Sequence, residues 1–181
     1  MAGRAPASRT PPVDASARYA VVAARFNQPI SRRLVEGALH AFATAKVSEE
    51  RVDVHWVPGS FELPQAAYHL ALSGRYAGIV CVGVVIRGQT PHFEHVAREA
   101  ASGIRHVALT TGVPTGFGVI TTFDEDQAWA RAGGSVGNRG EEAAAAVIEM
   151  VGFVQQLNIK KPVDLPDRRG PGARRRGLGG K

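Results

Sequence analysis

Short apolar runs alternate with amphipathic stretches along this chain. Tyr19–Ala24 (YAVVAA) is a Val-rich run bounded by polar residues. Val52–Val57 (VDVHWV) alternates with period two. Gly78–Ile86 (GIVCVGVVI) is apolar throughout, the pattern of a strand buried on both faces. Gly116–Thr121 (GFGVIT) is a weaker fourth run. Helical periodicity fills the gaps. In Ser31–Ala45, Leu34, Ala38, Leu39 and Phe42 share one face, with Arg32, Arg33 and Glu36 on the other. Glu62–Ser73 and Pro91–Leu109 follow the second and third strands, and Glu125–Ala132 is short. Glu141–Leu157 carries an apolar stripe of Ala144, Val147, Ile148, Val151 and Val154. Strands alternating with helices predict an α/β fold, with a parallel sheet covered on both faces.

Composition narrows the class. At 181 residues the chain has room for one domain with a full core. No apolar run approaches the ~20 residues of a membrane-spanning helix. The start MAGRAPASRTPP has no apolar segment, which argues against a secretory signal. The single cysteine, Cys81, excludes an intrachain disulfide framework and fits a reducing compartment, so a cytoplasmic location is expected.

The net charge of +6 and pI near 10.1 invite a nucleic-acid reading. The charge is unevenly placed, however. Residues 1–18 hold Arg4, Arg9 and Arg18 against Asp14. Residues 160–181 hold eight basic residues against Asp164 and Asp167. The stretch between carries 11 basic and 13 acidic residues, so the body is mildly acidic. Both ends are poor in large apolar residues, and their composition predicts a disordered N-terminal segment (1–17), a folded domain (18–158) and a basic disordered tail (159–181). The acidic body argues against nucleic acid as a main partner, leaving only a weak polyanion contact through the tail. That tail reads first as a solubility element and only second as an anion-binding arm.

Ligands of open α/β sheets bind beyond the carboxyl ends of the strands. The unusual residues of this chain gather there. Arg25-Phe26-Asn27 follows the first strand and Pro58–Pro64 the second; Arg87–Phe93 follows the third. Thr90-Pro91 reads as an N-cap followed by the first helical residue, a start that offers free N–H groups to a phosphate. His92 then lies in the first turn, and an imidazole with an ordinary pKa of about 6.5 is a natural proton carrier. A capping turn with a surface histidine fits the spacing as well. Ser60 is a candidate N-cap; Phe61 and Glu62 could hold a flat heterocycle by stacking and by accepting hydrogen bonds, or serve core and helix dipole. Phe26 and Phe117 carry the same ambiguity. Arg131 ends a short helix and reads as a dipole partner unless the fold brings it to Thr90. His92, His95 and Glu99 fall on one helical face, but no metal-binding spacing supports a metal. No P-loop, dinucleotide fingerprint or nucleophile elbow occurs.

Taken together and in this order, four blocks resemble the lumazine synthase family. They are Arg25-Phe26-Asn27, Pro58–Pro64, Gly83–Phe93 (GVVIRGQTPHF), and Arg131-Ala132-Gly133 with Gly137-Asn138-Arg139-Gly140. The resemblance spans residues 18–157. It implies a three-layer αβα sandwich around a flavodoxin-like parallel four-stranded sheet. It also implies a transferase that condenses 5-amino-6-(D-ribitylamino)uracil with 3,4-dihydroxy-2-butanone 4-phosphate, giving 6,7-dimethyl-8-ribityllumazine, phosphate and water in the penultimate step of riboflavin biosynthesis, with no cofactor and no metal. By the same resemblance Phe26 stacks on the pyrimidine, and Ser60, Phe61 and Glu62 hold the ribityl chain and ring atoms. Val84, Val85 and Ile86 line the ring pocket. Gln89 and Thr90, with Arg131 of a neighbouring subunit, bind the phosphate. His92 transfers protons, and Phe117 of an adjacent subunit closes the pocket. Arg139 stands where the family usually has Lys, which makes it a candidate substrate contact with altered geometry. His95 stands where Tyr is common. Implied partners are the two small-molecule substrates and further copies of the chain, as a homopentamer or an icosahedral shell of pentamers; the short Gly133–Gly140 connection resembles shell-forming members. A shell-forming or flavin- or lumazine-binding relative with little turnover is the alternative, which retention of Phe26, Glu62, His92 and Arg131 disfavours.

Overall fold

The computed structural model describes residues 16–157. The expectations for the N-terminal segment before Ser16 and for the basic tail lie outside the described residues. Four strands, β1 (Tyr19–Ala24), β2 (Val52–Val57), β3 (Gly78–Ile86) and β4 (Thr115–Thr122), form one parallel sheet in the order β2-β1-β3-β4. Three of them coincide with the apolar runs, and β4 is one residue longer at each end than its run. Helices α1 (Gln28–Thr44) and α5 (Arg139–Gln156) cover one face; α2 (Leu63–Leu72) and α3 (His92–Thr111) cover the other. A short α4 (Glu125–Arg131) follows β4. The architecture is the expected flavodoxin-like three-layer sandwich. No helix among the described residues is long and apolar enough to cross a membrane.

The strand period of two divides the core. Tyr19, Val21, Ala23, Val80, Val82 and Val84 meet Leu34, Phe42 and Ile148 on the α1/α5 side. Ala20, Val22, Ala24, Ile79, Cys81 and Val85 meet Leu63, Ile104 and Val107 on the α2/α3 side. Both faces of β1 and β3 are therefore buried, as their unbroken apolar sequences require. Burial pushes the Cys81 thiol up to about 12, so it stays a neutral packing group.

Helix starts differ from expectation in informative ways. Asn27 adopts a left-handed backbone (φ 58°), which Asn tolerates better than most residues. Its carbonyl accepts from both Ile30 and Ser31 N–H groups, and Pro29 fits the first turn, so α1 begins three residues before the amphipathic pattern does. α3 begins at His92, with Pro91 and not Thr90 in the capping position and no side-chain cap. The Pro91 carbonyl already accepts from Glu94 N–H, which shifts the start by one residue and releases the Thr90 hydroxyl from capping. Ser60 likewise caps nothing. It opens a 3₁₀ turn, Ser60–Glu62, that leads into α2. A small hairpin, β5 (Ala132–Gly134) with β6 (Gly137–Asn138), was not signalled by periodicity and joins α4 to α5.

At the amino ends of the strands Asp53 is the hub of a polar cluster. Its carboxylate accepts two bonds from the Arg18 guanidinium (3.0 and 3.1 Å) and one from the Tyr76 hydroxyl (2.8 Å), with Arg75 at 3.7 Å. The Tyr76 bond and then the Arg18 fork hold the Asp53 carboxyl below its usual range. A depressed carboxylate stabilises the fold above its unfolded pKa, and that contribution is lost as pH falls through the folded value. Asp53→Asn is expected to lose about 1 kcal/mol of stability at pH 7, because the cluster is part-exposed. Urea denaturation at pH 7 and near pH 2 checks this: the gap between variant and parent closes at the acid end.

Candidate active site

The switch point of this sheet lies between β1 and β3, because β1 connects to β2 on one side while β3 and β4 lie on the other. A cleft of about 470 Å³ opens there, at the carboxyl ends of the strands. Backbone bonds fix its mouth. Arg25 N–H donates to the Val57 carbonyl (2.8 Å) and Phe26 N–H to that of Pro58 (3.1 Å), so the segments after β1 and β2 are tied side by side. This juxtaposes Phe26 with the Ser60–Glu62 turn. Both aromatic rings face outward, with Phe26 70% and Phe61 60% exposed, so neither serves the core.

Of the residues singled out from sequence, Phe26, Ser60, Phe61, Glu62, Val84, Val85, Ile86, Thr90 and His92 line this one cleft. Val84–Ile86, the last three residues of β3, form its floor. Glu62 is the lining carboxylate and His92 the lining imidazole. Phe93 and Val96 also line it, together with Gly88 and the Pro58-Gly59 turn. Their signal was available: Phe93, Val96, Ala97, Ala100 and Ile104 repeat at helical spacing along the buried face of α3.

Ser60 has an unusual environment. It is only 5% exposed, and its Oγ has no hydrogen-bond partner among the described residues. A Cβ at position 83 would sit 2.7 Å from that oxygen, so Gly83 on β3 is what lets the turn lie this close to the sheet. An unpaired buried hydroxyl costs about 1–3 kcal/mol.

Gln89, Phe117, Arg131 and Arg139 do not line the cleft of their own chain. Gln89 is exposed in the loop between Gly88 and Thr90. Phe117 is level with Cys81, whereas Ile120 is level with Val84. Phe117 therefore lies three residues, about 10 Å, short of the cleft floor, and it is 46% exposed. Arg131 donates from Nη1 to the Gln127 carbonyl (2.9 Å), closing the last turn of α4, and makes no ion pair among the described residues. Ala128 and Ala132 beside it pack into the α1/α5 core, whereas Phe93 and Val96 of the cleft pack against the α2/α3 core. Arg139 pairs with Glu142, so its charge is locally matched.

Among the described residues no Arg or Lys lines the cleft. His95 does not join His92 in a ligand set: its Nδ1 faces Arg98 Nη2 at 2.9 Å, and Arg98 reaches Glu99 at 3.3 Å. No group of three or more metal-ligating side chains occurs among the described residues. The arrangement offers stacking surface for a flat ring, an acceptor for its N–H or O–H groups, and an imidazole within the same cavity.

Comparison with known proteins places this geometry. Residues 16–155 match the profile of the family described as 6,7-dimethyl-8-ribityllumazine synthase. A protein of that name from Nitratidesulfovibrio vulgaris (strain DSM 19637 / Miyazaki F) is 49% identical over 140 residues, 77% of this chain and 90% of its own length. Its namesake from Desulfatibacillum aliphaticivorans is 46% identical over 140 residues, with the same coverage of 77% and 90%. One from Protochlamydia amoebophila (strain UWE25) is 43% identical over 143 residues, 79% of this chain and 83% of its own.

Proposed function

The chain belongs to the 6,7-dimethyl-8-ribityllumazine synthase family, and from that premise we propose how its cleft carries out the reaction. The activity is that of a transferase of riboflavin biosynthesis. It joins 5-amino-6-(D-ribitylamino)uracil to 3,4-dihydroxy-2-butanone 4-phosphate and releases 6,7-dimethyl-8-ribityllumazine, phosphate and water. The observation that carries the reading is the convergence of Phe26, Glu62 and His92 on one apolar-floored cavity at the switch point of the sheet.

In this reading the pyrimidine stacks on Phe26 above the Val84–Ile86 floor. The Ser60–Glu62 turn holds the ribityl chain, largely through backbone groups and the Glu62 carboxylate, which accepts from its hydroxyls. Imine formation between the 5-amino group and the ketone carbonyl expels water. Elimination then breaks the C–O bond to phosphate, and attack by the ribityl-bearing nitrogen closes the second ring with loss of water. Each step moves protons between adjacent atoms, which suits His92 at the cavity wall. Orientation of the two substrates contributes most, on the order of 7–11 kcal/mol in the best intramolecular analogues.

The phosphate seats at Gln89 and Thr90, and its counter-charge comes from Arg131 of a second copy, with Phe117 closing the cavity from the same side and Arg139 nearby. Two features support this shared site: the cleft has no cation of its own, and Arg131 has no carboxylate partner among the described residues. The exposed rings of Phe26, Phe61, Phe117 and Phe123 are the apolar surface that a second copy would cover. A homopentamer and a shell of pentamers follow from the same family reading, as does a cytoplasmic location; a sedimentation profile of pentamers alone ends the shell. Incubating the purified chain with both substrates and following lumazine absorbance tests the activity. Product formation above the uncatalysed rate is expected, and binding of the pyrimidine without turnover would favour the ligand-binding alternative.

A further inference from the structure

The geometry points to Asn138 as the residue that positions the phosphate-binding arginine, acting as a clamp between α1, α5 and the β5–β6 hairpin. Every polar atom of its side chain is engaged. Oδ1 accepts from the N–H groups of Gly140 (2.9 Å) and Glu141 (3.2 Å), capping α5. Nδ2 donates to the Arg33 carbonyl in α1 (2.8 Å), more than a hundred residues away in sequence. Two glycines make the seat. A Cβ at Gly37 would overlap the Asn138 amide, and a Cβ at Gly140 would overlap the Leu34 carbonyl. Asn138 also stands opposite Ala132 in the hairpin, next to Arg131 in sequence, and it directly precedes Arg139.

The consequence is mechanical. Arg131 sits at the end of a seven-residue helix, which is too short to hold its own direction. The chain beyond it turns through Gly133 and Gly137, both at positive φ, so the hairpin has little stiffness of its own. The Asn138–Arg33 bond ties that hairpin to α1, a long helix buried against the sheet. Without the bond α5 can still be capped and Ala128 and Ala132 still pack into the core, but the hairpin loses its polar tie to α1 and Arg131 is held less firmly. Asn138 is thus a positioning residue that acts on the substrate through Arg131. The inference rests on the proposed phosphate contact of Arg131.

Asn138→Ser separates capping from clamping, because a serine hydroxyl accepts from the α5 amides but cannot span to the Arg33 carbonyl. The full chain carrying this change is compared with the parent by steady-state kinetics, varying each substrate with the other saturating, and by thermal unfolding. The expected result is a rise of about tenfold in KM for the butanone phosphate, below the ~10²-fold that a misplacement of about an ångström can cost, because Ala128 and Ala132 still anchor the neighbouring backbone. KM for the pyrimidine stays within about twofold, and Tm changes little. Asn138→Asp is the second variant: it keeps the shape and the cap but points an acceptor at the Arg33 carbonyl, and the same split is expected. An unchanged KM for the butanone phosphate, or an equal rise for both substrates, would overturn the clamp. Arg131→Ala run in parallel locates the failure. If it raises that KM while both Asn138 variants are silent, the clamp alone is wrong; if all are silent, the phosphate reading is wrong and the clamp falls with it.

Discussion

Arg131→Ala is expected to lower kcat/KM for the butanone phosphate by roughly 10²–10³-fold, chiefly through KM. Among the described residues the cleft wall holds no Arg or Lys, so a phosphate bound there draws on a cation from beyond that wall. Arg139 is a weaker source, because Glu142 already matches its charge. Arg131 spends one of its five donors on the Gln127 carbonyl and has the others free for phosphate oxygens. A guanidinium–phosphate contact shielded from water by two subunits is worth about 3–4 kcal/mol on truncation. Steady-state kinetics with the phosphate substrate varied gives the number, and inhibition by inorganic phosphate should weaken in parallel. Because the Gln127 bond closes only a surface helix, Tm should move by a few degrees at most. A variant with parental kinetics would remove Arg131 from the site.

His92→Ala is expected to lower kcat by about 10²-fold, the lower end of the usual range for a general acid–base group. The lower end is appropriate because His92 is exposed at the head of α3, where water can carry part of the proton traffic. The residues proposed to orient the substrates, Phe26, the Ser60–Glu62 turn and Arg131, are untouched by the change, so KM for both substrates should stay near the parental values. The two variants therefore separate cleanly: one fails to hold the phosphate, the other holds both substrates and turns over slowly. Single-turnover measurement under saturating substrates distinguishes them. A His92→Ala protein with undiminished kcat would leave the proton transfers to water or to another group.

Much of this was legible because burial on both faces writes itself into composition. β3 had to be central, since GIVCVGVVI has no polar side to expose, and it lies between β1 and β4. The strand-end motifs were legible for a related reason: Phe, Glu and His have no packing role at those positions, and the structure exposes them in one cavity. What stayed hidden depended on contacts distant in sequence. Ser60 looked like a cap, but whether its hydroxyl is paired depends on Gly83 across the turn. Thr90 looked like a cap because Thr-Pro commonly begins helices, yet the Pro91 carbonyl takes the first bond. The β5–β6 hairpin has too few residues for any period and is held by Asn138 reaching α1. Phe117 and Arg131 could not be placed from local pattern, because their positions relative to the cleft are set by strand register and by the face of the sheet on which α4 lies.

In the proposed site each cavity works with His92 from one copy and Arg131 from another. Co-folding the His92→Ala and Arg131→Ala chains tests it most directly. With the butanone phosphate held well below the KM of Arg131→Ala, each variant alone is nearly inactive, but in a mixed assembly some cavities pair an intact His92 with a neighbour's intact Arg131. The account predicts that lumazine formation by the mixture clearly exceeds the sum of the two variants folded separately. Activity no greater than that sum, in an assembly shown to contain both chains, would contradict it and place the whole site within a single chain.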